Sequence, residues 1–470
     1  MKVVFCSSEV FPFAKTGGLA DVCGALPLAL ASLGVEVSIF LPRYRCISDE
    51  DFHIERVNDV VSRTRLGKDI DVYFVENKAL FDREGIYGTT TGDYHDNLER
   101  FQYFCSQVLI FLKEFQPYPD IIHCHDWQTA LIPVYLKENS PFKKTKSLLT
   151  IHNLAYQGVF PKKEFSKLKV KRDFFSSNFE FFDQINLLKA GIVYSDRVTT
   201  VSPQYAQEIQ APEFGCGLDG VLASRKDEIT GILNGIDTRV WDPASDKLIF
   251  RRYSSAEYVE GKIENKKVLQ KRLGLPVESE IPVFGFVGRL SHQKGLDLIL
   301  ESAKQLLELP AQFIIEGIGD EKYKTHLKIL AQKHPDKVAV NFEFNEQTAH
   351  QIYAGSDFFL MPSIFEPCGL SQLISLRYGT MPIVFKVGGL ADTIVPFDYE
   401  NGNGFMFTDY TKIGFVSILK KAIKVFADQV ERSRLIENAF KADFSWNKSA
   451  KEYIKVYESL RNSPPLAGGD

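Results

Sequence analysis

The sequence predicts an α/β protein with two doubly wound parallel sheets, whose domains face each other across a deep cleft. Short apolar runs alternate with amphipathic helical patterns along the chain, and this pattern begins again near residue 281. The 470 residues are also too many for one compact core. In sheets of this kind, ligands bind beyond the carboxyl ends of the strands.

The first half opens with a strand, a glycine-containing loop, a helix and a second strand. The apolar run 2–5 predicts the first strand, and residues 19–34 carry apolar side chains at helical spacing up to Gly34. Residues 35–42 complete a βαβ unit. Further strands are predicted at 119–126, 146–153, 197–203 and 229–237.

The second half repeats this order of elements. Residues 281–308 predict a strand, a polar loop and a long amphipathic helix. Later strands are predicted at 311–320, 338–344, 357–363 and 381–386. The polar, irregular start of segment 242–262 marks the boundary, so we expect domains at 1–245 and 246–445, a helix at 446–462 and a disordered tail at 463–470.

Composition and charge exclude several classes of protein. Lys plus Arg total 56 and Asp plus Glu total 60, and the net charge of −4 argues against a general nucleic-acid binder. Apolar runs fall short of the roughly 18 residues that span a bilayer, and the apolar part at the start of the sequence is too short to predict a signal peptide. The 7 irregularly spaced cysteines indicate free thiols in a reducing cytoplasm.

Two loops carry the residue types that bind a diphosphate. Lys15 precedes Gly17 and Gly18 at the start of a helix, whose backbone amides and positive dipole would face an anion. Arg289 and Lys294 lie together on a second short loop between a strand and a helix. The alternatives are a tight turn with a solvated lysine in the first loop and a pair of surface cations in the second.

A carboxylate follows another predicted strand in the second half. Glu366 could accept hydrogen bonds from sugar hydroxyls, or it could cap the helix that follows Gly369, Leu370 and Ser371. Cys368 could be a small buried hydrophobic residue.

Two heptapeptides that differ at one position occur in the chain, KTGGLAD at 15–21 and KVGGLAD at 386–392. The second copy also follows a predicted strand. Gly388 and Gly389 therefore predict a second anion-binding loop, one in each domain.

The segment HCHDW at 123–127 suggests a metal site at first reading. His123 and His125 share one face of a strand, but Asp126 points away and no matching ligand spacing follows. Polar residues lining the cleft are favoured over zinc. His152 also ends a strand, where a buried core histidine is the alternative. Segment 317–320 lacks the third glycine of a dinucleotide-binding fingerprint.

Taken together, these stretches resemble the bacterial glycogen synthases and plant starch synthases, retaining glucosyltransferases with two Rossmann-like domains in the GT-B fold. The resemblance covers nearly the whole chain. It rests, in the family's order, on KTGGLADV, YHDNLERF (94–101), HDWQ, TIHNLAYQG, LNGID (233–237), GRLSHQKG, FEPCGLSQ, GGLADT and DFSW (443–446).

This resemblance implies a hexosyltransferase of glycogen biosynthesis. It would transfer glucose from ADP-glucose to the non-reducing end of an α-1,4-glucan with retention of configuration, without a metal or other cofactor, nucleic acid or membrane. The implied catalytic residues are Lys15, His152, Arg289, Lys294 and Glu366. The implied substrate-binding residues are Gly17, Gly18, Asp21, Tyr94, Asp126, Asn153, Asn234, Cys368, Gly369, Leu370, Ser371, Gly388 and Gly389.

The resemblance also implies a role for each group. Arg289 and Lys294 would hold the donor's diphosphate, which Lys15 would approach from the other domain upon closure. Glu366 and segment 368–371 would hold the glucosyl hydroxyls. His152, Asp126 and Asn234 would lie near the sugar, and Tyr94 would stack on the acceptor. The last helix would return to the N-terminal domain.

Four positions depart from related patterns. Gln128 stands where many members have His, while Phe385 and Val387 replace an Arg and a Thr beside the second glycine pair. Ile374 replaces the second Glu found in sucrose-type relatives, which favours the glycogen and starch synthases.

Three other classes of protein fit the sequence less well. A nucleotide-sugar epimerase would lack the acceptor-side motifs at 94–101 and 152–158. A phosphorylase would need a lysine for pyridoxal phosphate and usually a longer chain. A non-catalytic glucan-binding module would not need both cationic loops.

Overall fold

A computed structural model describes residues 1–138, 141–170, 178–343 and 345–463. The chain divides into two compact units. The first unit combines residues 1–235 with the segment that begins at Trp446, and the second unit spans Ile236–Ser445. Residues 464–470 of the predicted tail, and residue 344 of a predicted strand, lie outside the described residues.

The first unit is built on one large sheet and two small ones. Its strands are, in chain order, β1 (Lys2–Cys6), β2 (Glu36–Pro42), β3 (Glu55–Arg56), β4 (Val61–Leu66), β5 (Ile70–Val75), β6 (Gly88–Thr89), β7 (Gly92–Asp93), β8 (Ile121–His125), β9 (Lys146–Ile151), β10 (Val159–Pro161), β11 (Glu180–Phe181), β12 (Gln184–Asn186), β13 (Arg197–Thr200) and β14 (Ile229–Gly231).

The large sheet has the order β14-β13-β9-β8-β1-β2-β5-β4-β3. The strands from β14 to β5 are parallel, and β4 and β3 extend this sheet in antiparallel fashion. Strand β1 lies between β2 and β8, so its apolar residues Val3, Val4 and Phe5 are completely buried. A strand covered on both faces needs such a continuous apolar run.

The helices of the first unit cover the faces of this sheet. They are Gly18–Ser32, Asp49–Phe52, Lys78–Phe81, Asn97–Leu112, Leu131–Glu138, Leu187–Tyr194, Pro203–Glu208, Asp219–Ser224 and Trp446–Asn462. The helix predicted after the first glycine pair is confirmed, with Gly34 just beyond its end in the left-handed conformation that glycine favours.

The described residues of the second unit form one six-stranded parallel sheet. Its strands are β15 (Val283–Val287), β16 (Gln312–Glu316), β17 (Val338–Asn341), β18 (Phe358–Met361), β19 (Met381–Phe385) and β20 (Phe405–Phe407). Their order is β17-β16-β15-β18-β19-β20. The prediction of parallel sheets in both halves is confirmed, although β20 was not predicted.

Helices also flank the second sheet and complete its apolar core. They are Tyr258–Arg272, Leu296–Glu301, Ala303–Glu308, Glu321–Lys333, Glu346–Gly355, Ser371–Arg377, Gly388–Thr393, Lys412–Ala427 and Gln429–Lys441. The long helix predicted after the 287–295 loop is two short helices, which meet at the buried Ser302. Within the described part of the chain, every helix is too short or too polar to cross a bilayer.

The division between the units falls earlier than the predicted boundary at 245, because residues 236–245 pack on the second unit. The Ile236 amide donates to the Phe444 carbonyl at 2.9 Å. Trp241 stacks on His350 with 3.9 Å between ring centroids, and Asp242 pairs with Arg377 at 2.6 Å.

The last helix, Trp446–Asn462, belongs to the first unit. It packs along the helix Gly18–Ser32. The Ser449 hydroxyl donates to the Leu233 carbonyl at 2.6 Å, and the Tyr457 hydroxyl lies 2.8 Å from Nδ1 of His123.

Candidate functional site

In each large sheet, the strand order reverses at one point, and most predicted site residues lie on the loops at that point. The reversal falls between β1 and β8 in the first unit and between β15 and β18 in the second. Connections on opposite sides of such a point leave a crevice outside the carboxyl ends of the strands. The loops that follow these four strands therefore form the candidate site of each unit.

A residue that the sequence analysis did not assign, Glu9, organises the loop after β1. Its carboxylate is only 3% exposed. It accepts hydrogen bonds from the amide of Thr16, from the Thr16 hydroxyl at 2.7 Å, from the amide of Gly17 at 3.1 Å and from the Tyr87 hydroxyl at 2.6 Å. Two backbone amides that we expected to face a phosphate thus donate to Glu9 instead. The Glu9 carboxylate also places negative charge at a helix N terminus.

Gly17 nevertheless leaves room for a ligand. Its backbone is extended, with φ −155°, which any residue can adopt. A Cβ added there would meet no described atom within 4 Å. The absence of a side chain thus keeps this side of the loop, beside Gly18 at the helix start, open.

Lys15 is held beside the start of the same helix. Its ammonium lies 2.6 Å from the Asp21 carboxylate and 5.4 Å from the centre of the Phe11 ring. The Lys15 side chain remains 44% exposed. The two predicted site residues Lys15 and Asp21 are therefore an ion pair in this unit, and Lys15 keeps access to solvent.

Asp126 and His152 come together where β8 and β9 end. The Asp126 carboxylate accepts a hydrogen bond from the His152 amide at 2.7 Å. Burial raises the pKa of the Asp126 carboxyl from 3.8 to about 7, although backbone hydrogen bonds from His152 and Asn153 oppose that shift. Burial also lowers the pKa of His152 to about 3, so its imidazole is neutral near pH 7.

The remaining predicted residues of the first unit have separate environments. The Asn153 side chain accepts from the Ala155 amide at 3.0 Å and shapes the loop. Asn234 is 6% exposed, and its Oδ1 atom has no hydrogen-bond partner in the described structure. A buried, unpaired acceptor of this kind suits a ligand hydroxyl.

Tyr94 contacts protein groups through its ring and its hydroxyl. The guanidinium carbons of Arg83 and Arg100 lie 4.9 and 5.0 Å from the ring centre. The Tyr94 hydroxyl accepts from the Gly85 amide at 3.3 Å. These contacts fix the ring, and they give it a structural role within the first unit.

In the second unit, the loops after β15 and β18 meet through an ion pair. The Lys294 ammonium lies 2.6 Å from Oε2 of Glu366, and their side chains are 20% and 8% exposed. Ser363 donates to the same carboxylate oxygen at 3.0 Å. Arg289 is exposed, and its guanidinium lies 3.4 Å from the side-chain oxygen of Gln293.

Gln293 further ties these two loops together. Its side-chain nitrogen donates to the Phe365 carbonyl at 3.2 Å, and its own carbonyl accepts from the Ile364 amide at 2.9 Å. The two loops therefore form one connected surface with Lys294 and Glu366 at its centre. The sequence analysis identified these two residues but not their mutual pairing, nor Ser363 and Gln293.

The segment from Cys368 to Ser371 turns the chain into a helix, as predicted. Cys368 is buried, Gly369 has φ +74°, and Leu370 precedes the first helical residue, Ser371. The Gln372 side chain donates to the carbonyls of Cys368 and Gly369 at 2.9 and 3.0 Å. The loop conformation is therefore fixed from within the second unit.

The second copy of the heptapeptide has a packing role. The Gly389 amide donates to the carbonyls of Glu366 and Pro367 at 3.0 and 3.2 Å, so it is occupied by the chain itself. A Cβ on Gly389 would lie 2.2 Å from the Cys368 carbonyl oxygen. Gly388 has φ +43° and is buried. These glycines let the loops after β18 and β19 approach each other.

The residues that depart from the family pattern are mostly buried. The Phe385 ring contacts those of Phe407 and Tyr410, with centroids 5.4 and 4.8 Å apart, so it is part of an aromatic cluster. Val387 and Ile374 are 2% and 5% exposed. Gln128 is buried, and its Oε1 has no partner in the described chain.

The side chains of segment 123–127 lie at the end of β8. The prediction that His123 and His125 share a face is confirmed by a ring separation of 4.2 Å. Among the residues that the structure describes, no group of three or more His, Cys, Asp or Glu side chains could hold a metal ion.

Comparisons with known proteins agree on one family. A model of the starch synthase catalytic domain matches residues 2–224, and a model of group 1 glycosyl transferases matches residues 270–442. Glycogen synthase 2 of Geobacter sulfurreducens is 43% identical over 97% of this chain and 98% of its own length. Glycogen synthase of Geotalea uraniireducens is 45% identical over 97% of this chain and 98% of its own length.

A solved structure is similar along nearly the whole chain. The catalytic domain of starch synthase IV from Arabidopsis thaliana, bound to ADP and acarbose, matches with a TM-score of 0.89 at 34% identity. The match covers 98% of this chain and 99% of that one.

The contacts of Glu9 predict that this residue stabilises the first unit. We expect Glu9→Ala to lower the free energy of unfolding by about 1–3 kcal/mol, because it leaves polar groups of the loop without their acceptor. Urea denaturation followed by circular dichroism measures this change. Glu36→Ala, at an acid that is 67% exposed, is the matched control and should change the value by less than about 0.5 kcal/mol. Equal effects of the two substitutions would contradict the assignment.

The raised pKa of Asp126 predicts a pH-dependent stability difference. From about pH 4 to 7 the folded protein holds a proton that the unfolded chain releases, so this carboxyl makes stability fall as pH rises. Asp126→Asn removes that titration. The stability of the variant relative to wild type should therefore increase between about pH 4 and 7 in urea denaturation. A difference that does not change with pH would show that Asp126 titrates normally.

Two glycines, the first of the pair in one heptapeptide and the second of the pair in the other, predict different responses to an added methyl group. Gly389→Ala should destabilise the protein by about 1–3 kcal/mol, because the new Cβ would overlap the Cys368 backbone. Gly17→Ala should change stability by less than about 0.5 kcal/mol, because its Cβ enters open space. Thermal unfolding of both variants measures the contrast, and a larger loss for Gly17→Ala would reverse it.

Proposed function

Because this chain belongs to the glycogen and starch synthase family of hexosyltransferases, we propose that it transfers glucose from ADP-glucose to the non-reducing end of an α-1,4-glucan. Family membership confirms the resemblance, the GT-B fold class and the hexosyltransferase class predicted from the sequence motifs. The donor nucleotide, the acceptor and the residue roles are our proposal.

The Lys294–Glu366 pair at the strand reversal of the second sheet is the observation that carries this proposal. A partly buried lysine with a fixed counter-ion is a preorganised positive charge. Arg289 lies on the same loop, is exposed, and can offer its guanidinium to phosphate oxygens in a bidentate manner. We assign both cations to the donor's diphosphate and the Glu366 carboxylate to the hydroxyls of the transferred glucose.

The chemistry follows from this distribution of charge. As the bond from the glucosyl C1 to the diphosphate oxygen breaks, negative charge develops on the leaving ADP and positive charge on the sugar ring. The acceptor's 4-hydroxyl oxygen then bonds to C1, and its proton passes to the leaving phosphate. Retention of configuration follows when attack and departure occur on the same face. Lys294 and Arg289 stabilise the leaving group, an effect worth roughly 10²–10³ in rate for one such donor.

The first unit supplies a second set of proposed contacts. We assign the half-exposed Lys15 and the open space beside Gly17 to substrate phosphate. The unpaired Oδ1 of Asn234 and the neutral His152 suit sugar hydroxyls, since they are polar without bringing an additional charge.

We further propose that the reaction needs no metal ion, because Arg289 and Lys294 provide the positive charge that a divalent cation would otherwise supply. We place the protein in the cytoplasm, because all seven cysteines are free thiols, which persist in a reducing compartment.

The proposed role of Lys294 predicts a specific loss of turnover. Lys294→Ala should lower kcat by about 10²–10³, because the leaving diphosphate loses a fixed cation. Its matched control is Lys266→Ala, which removes the lysine of another buried ion pair, formed with Asp357 at 2.7 Å. Both changes should reduce stability, but only Lys294→Ala should reduce kcat strongly. Steady-state release of ADP measures turnover, and similar kcat values in the two variants would contradict the assignment.

The substrates are tested by incorporation of labelled glucose into glycogen, with ADP-glucose and UDP-glucose offered in parallel and EDTA present or absent. We expect incorporation chiefly from ADP-glucose, release of ADP only when glucan is added, and little effect of EDTA. Preference for UDP-glucose would overturn the donor assignment. Loss of activity in EDTA, restored by a divalent metal, would overturn the metal-free mechanism.

A further inference from the structure

The His152 side chain is hydrogen-bonded to a buried histidine, His125, at the end of β8. Nδ1 of His125 lies 3.0 Å from Nε2 of His152. Their ring centroids are 5.2 Å apart with an interplanar angle of 37°. His125 is completely buried.

This contact couples the proton positions of the two rings. Burial lowers the pKa of both imidazoles, so each ring is neutral and carries one proton. Only one proton can lie between the two facing nitrogens. If His125 donates, both rings carry their proton on Nδ1, and if His152 donates, both carry it on Nε2.

The second ring nitrogen of His125, Nε2, distinguishes these two tautomeric states. Its Nε2 atom is buried and has no hydrogen-bond partner in the described structure. The neighbouring rings of Phe5 and His123 are inclined by only 26° and 34° to it, so they lie over its faces rather than at its edge. A proton on Nε2 would therefore be a buried N–H without an acceptor, which is rare in native proteins. An unprotonated Nε2 atom avoids this buried N–H group without an acceptor.

We propose that His125 is a positioning residue that holds His152 as its Nδ1–H tautomer, so that His152 presents a hydrogen-bond donor to a sugar oxygen. The Nδ1 atom of His152 has no partner among the described residues, which leaves it available to a ligand. The direction of this bond to sugar rests on the proposed function, whereas the tautomer itself does not.

A third histidine keeps the pair in place. His123 is anchored at both ring nitrogens, with Nδ1 2.8 Å from the Tyr457 hydroxyl and Nε2 2.6 Å from the Thr150 hydroxyl. Its ring lies 4.2 Å from that of His125. Because both ring edges of His123 are bonded, it cannot rotate freely, and His125 packs against a fixed surface.

The tautomers are measured by long-range ¹H–¹⁵N NMR on the deuterated full-length protein, labelled with ¹⁵N-histidine. We expect both rings to show a protonated Nδ1 and a bare Nε2. Free imidazole side chains favour the opposite form, so this result identifies the effect of the site. The signals are assigned from His152→Gln and His125→Asn variants. A proton on Nε2 of either ring would overturn the proposal.

Two substitutions at His125 test the functional consequence. His125→Asn can still donate a hydrogen bond from its amide, whereas His125→Phe retains an aromatic ring but has no donor. We expect His125→Asn to retain kcat within a few fold and His125→Phe to lower it at least about tenfold, with little change in KM for the donor. The NMR spectrum of His125→Phe should show His152 reverting to the Nε2–H form.

The outcomes separate this inference from the proposed function. Equal kcat in the two folded variants, with His152 unchanged in its tautomer, would overturn the positioning role. If His125→Phe does not fold, the proposal is decided by the tautomers in the wild-type spectrum and by the kcat of His125→Asn. If the wild-type protein fails to transfer glucose, the proposed function fails, while the tautomer measurement still decides whether His125 sets the state of His152.

Discussion

The reversal of strand order in each parallel sheet is the constraint on which the candidate site depends. Neighbouring strands whose connections leave on opposite sides cannot cover the crevice between them, so polar loops line it. In the second sheet these loops follow β15 and β18, and they carry Lys294 and Glu366, which lie 72 positions apart in the chain. In the first sheet they follow β1 and β8 and carry Glu9, Lys15 and Asp126. The chemistry of each unit is thus positioned by backbone topology before any side chain forms a contact.

Buried polar groups then fix the loops that topology brings together. The Lys294–Glu366 pair is largely shielded from water, so desolvation of two charges offsets much of its attraction. Such a pair contributes little net stability compared with an apolar pair of similar size, but it holds both side chains in defined positions. Glu9 does the same for the loop after β1 through four hydrogen bonds. A ligand that binds here meets groups that are already oriented, and this reduces the reorganisation needed during reaction.

Sequence patterns predicted central strands such as β1, β15 and β18 because each of them is an almost entirely apolar run, which is typical of buried parallel strands. They also predicted which loops carry charge, since the charged residues directly follow those runs. They did not predict which side chains pair, because partners such as Glu9 and Tyr87 are 78 positions apart and no local period relates them. The boundary near 245 was placed too late because segment 236–245 is irregular in sequence, and only tertiary contacts such as the stacking of Trp241 on His350 assign it to the second unit.

The repeated heptapeptide shows why similar letters need not indicate similar chemistry. Both copies begin a helix after a parallel strand, so local sequence and local structure agree. The equivalent first glycines of the two pairs, Gly17 and Gly388, differ in backbone conformation, with φ −155° and +43°. At Gly17 the missing side chain faces open space, and at Gly389, the second glycine of its pair, it faces the Cys368 backbone. Gly17 therefore leaves room for something outside the chain, whereas Gly389 lets two segments of the chain come together. The neighbouring loop also differs. Residues after β18 fill the space beside Gly389, and their carbonyls occupy its amide, so its function is decided by residues that the heptapeptide does not contain.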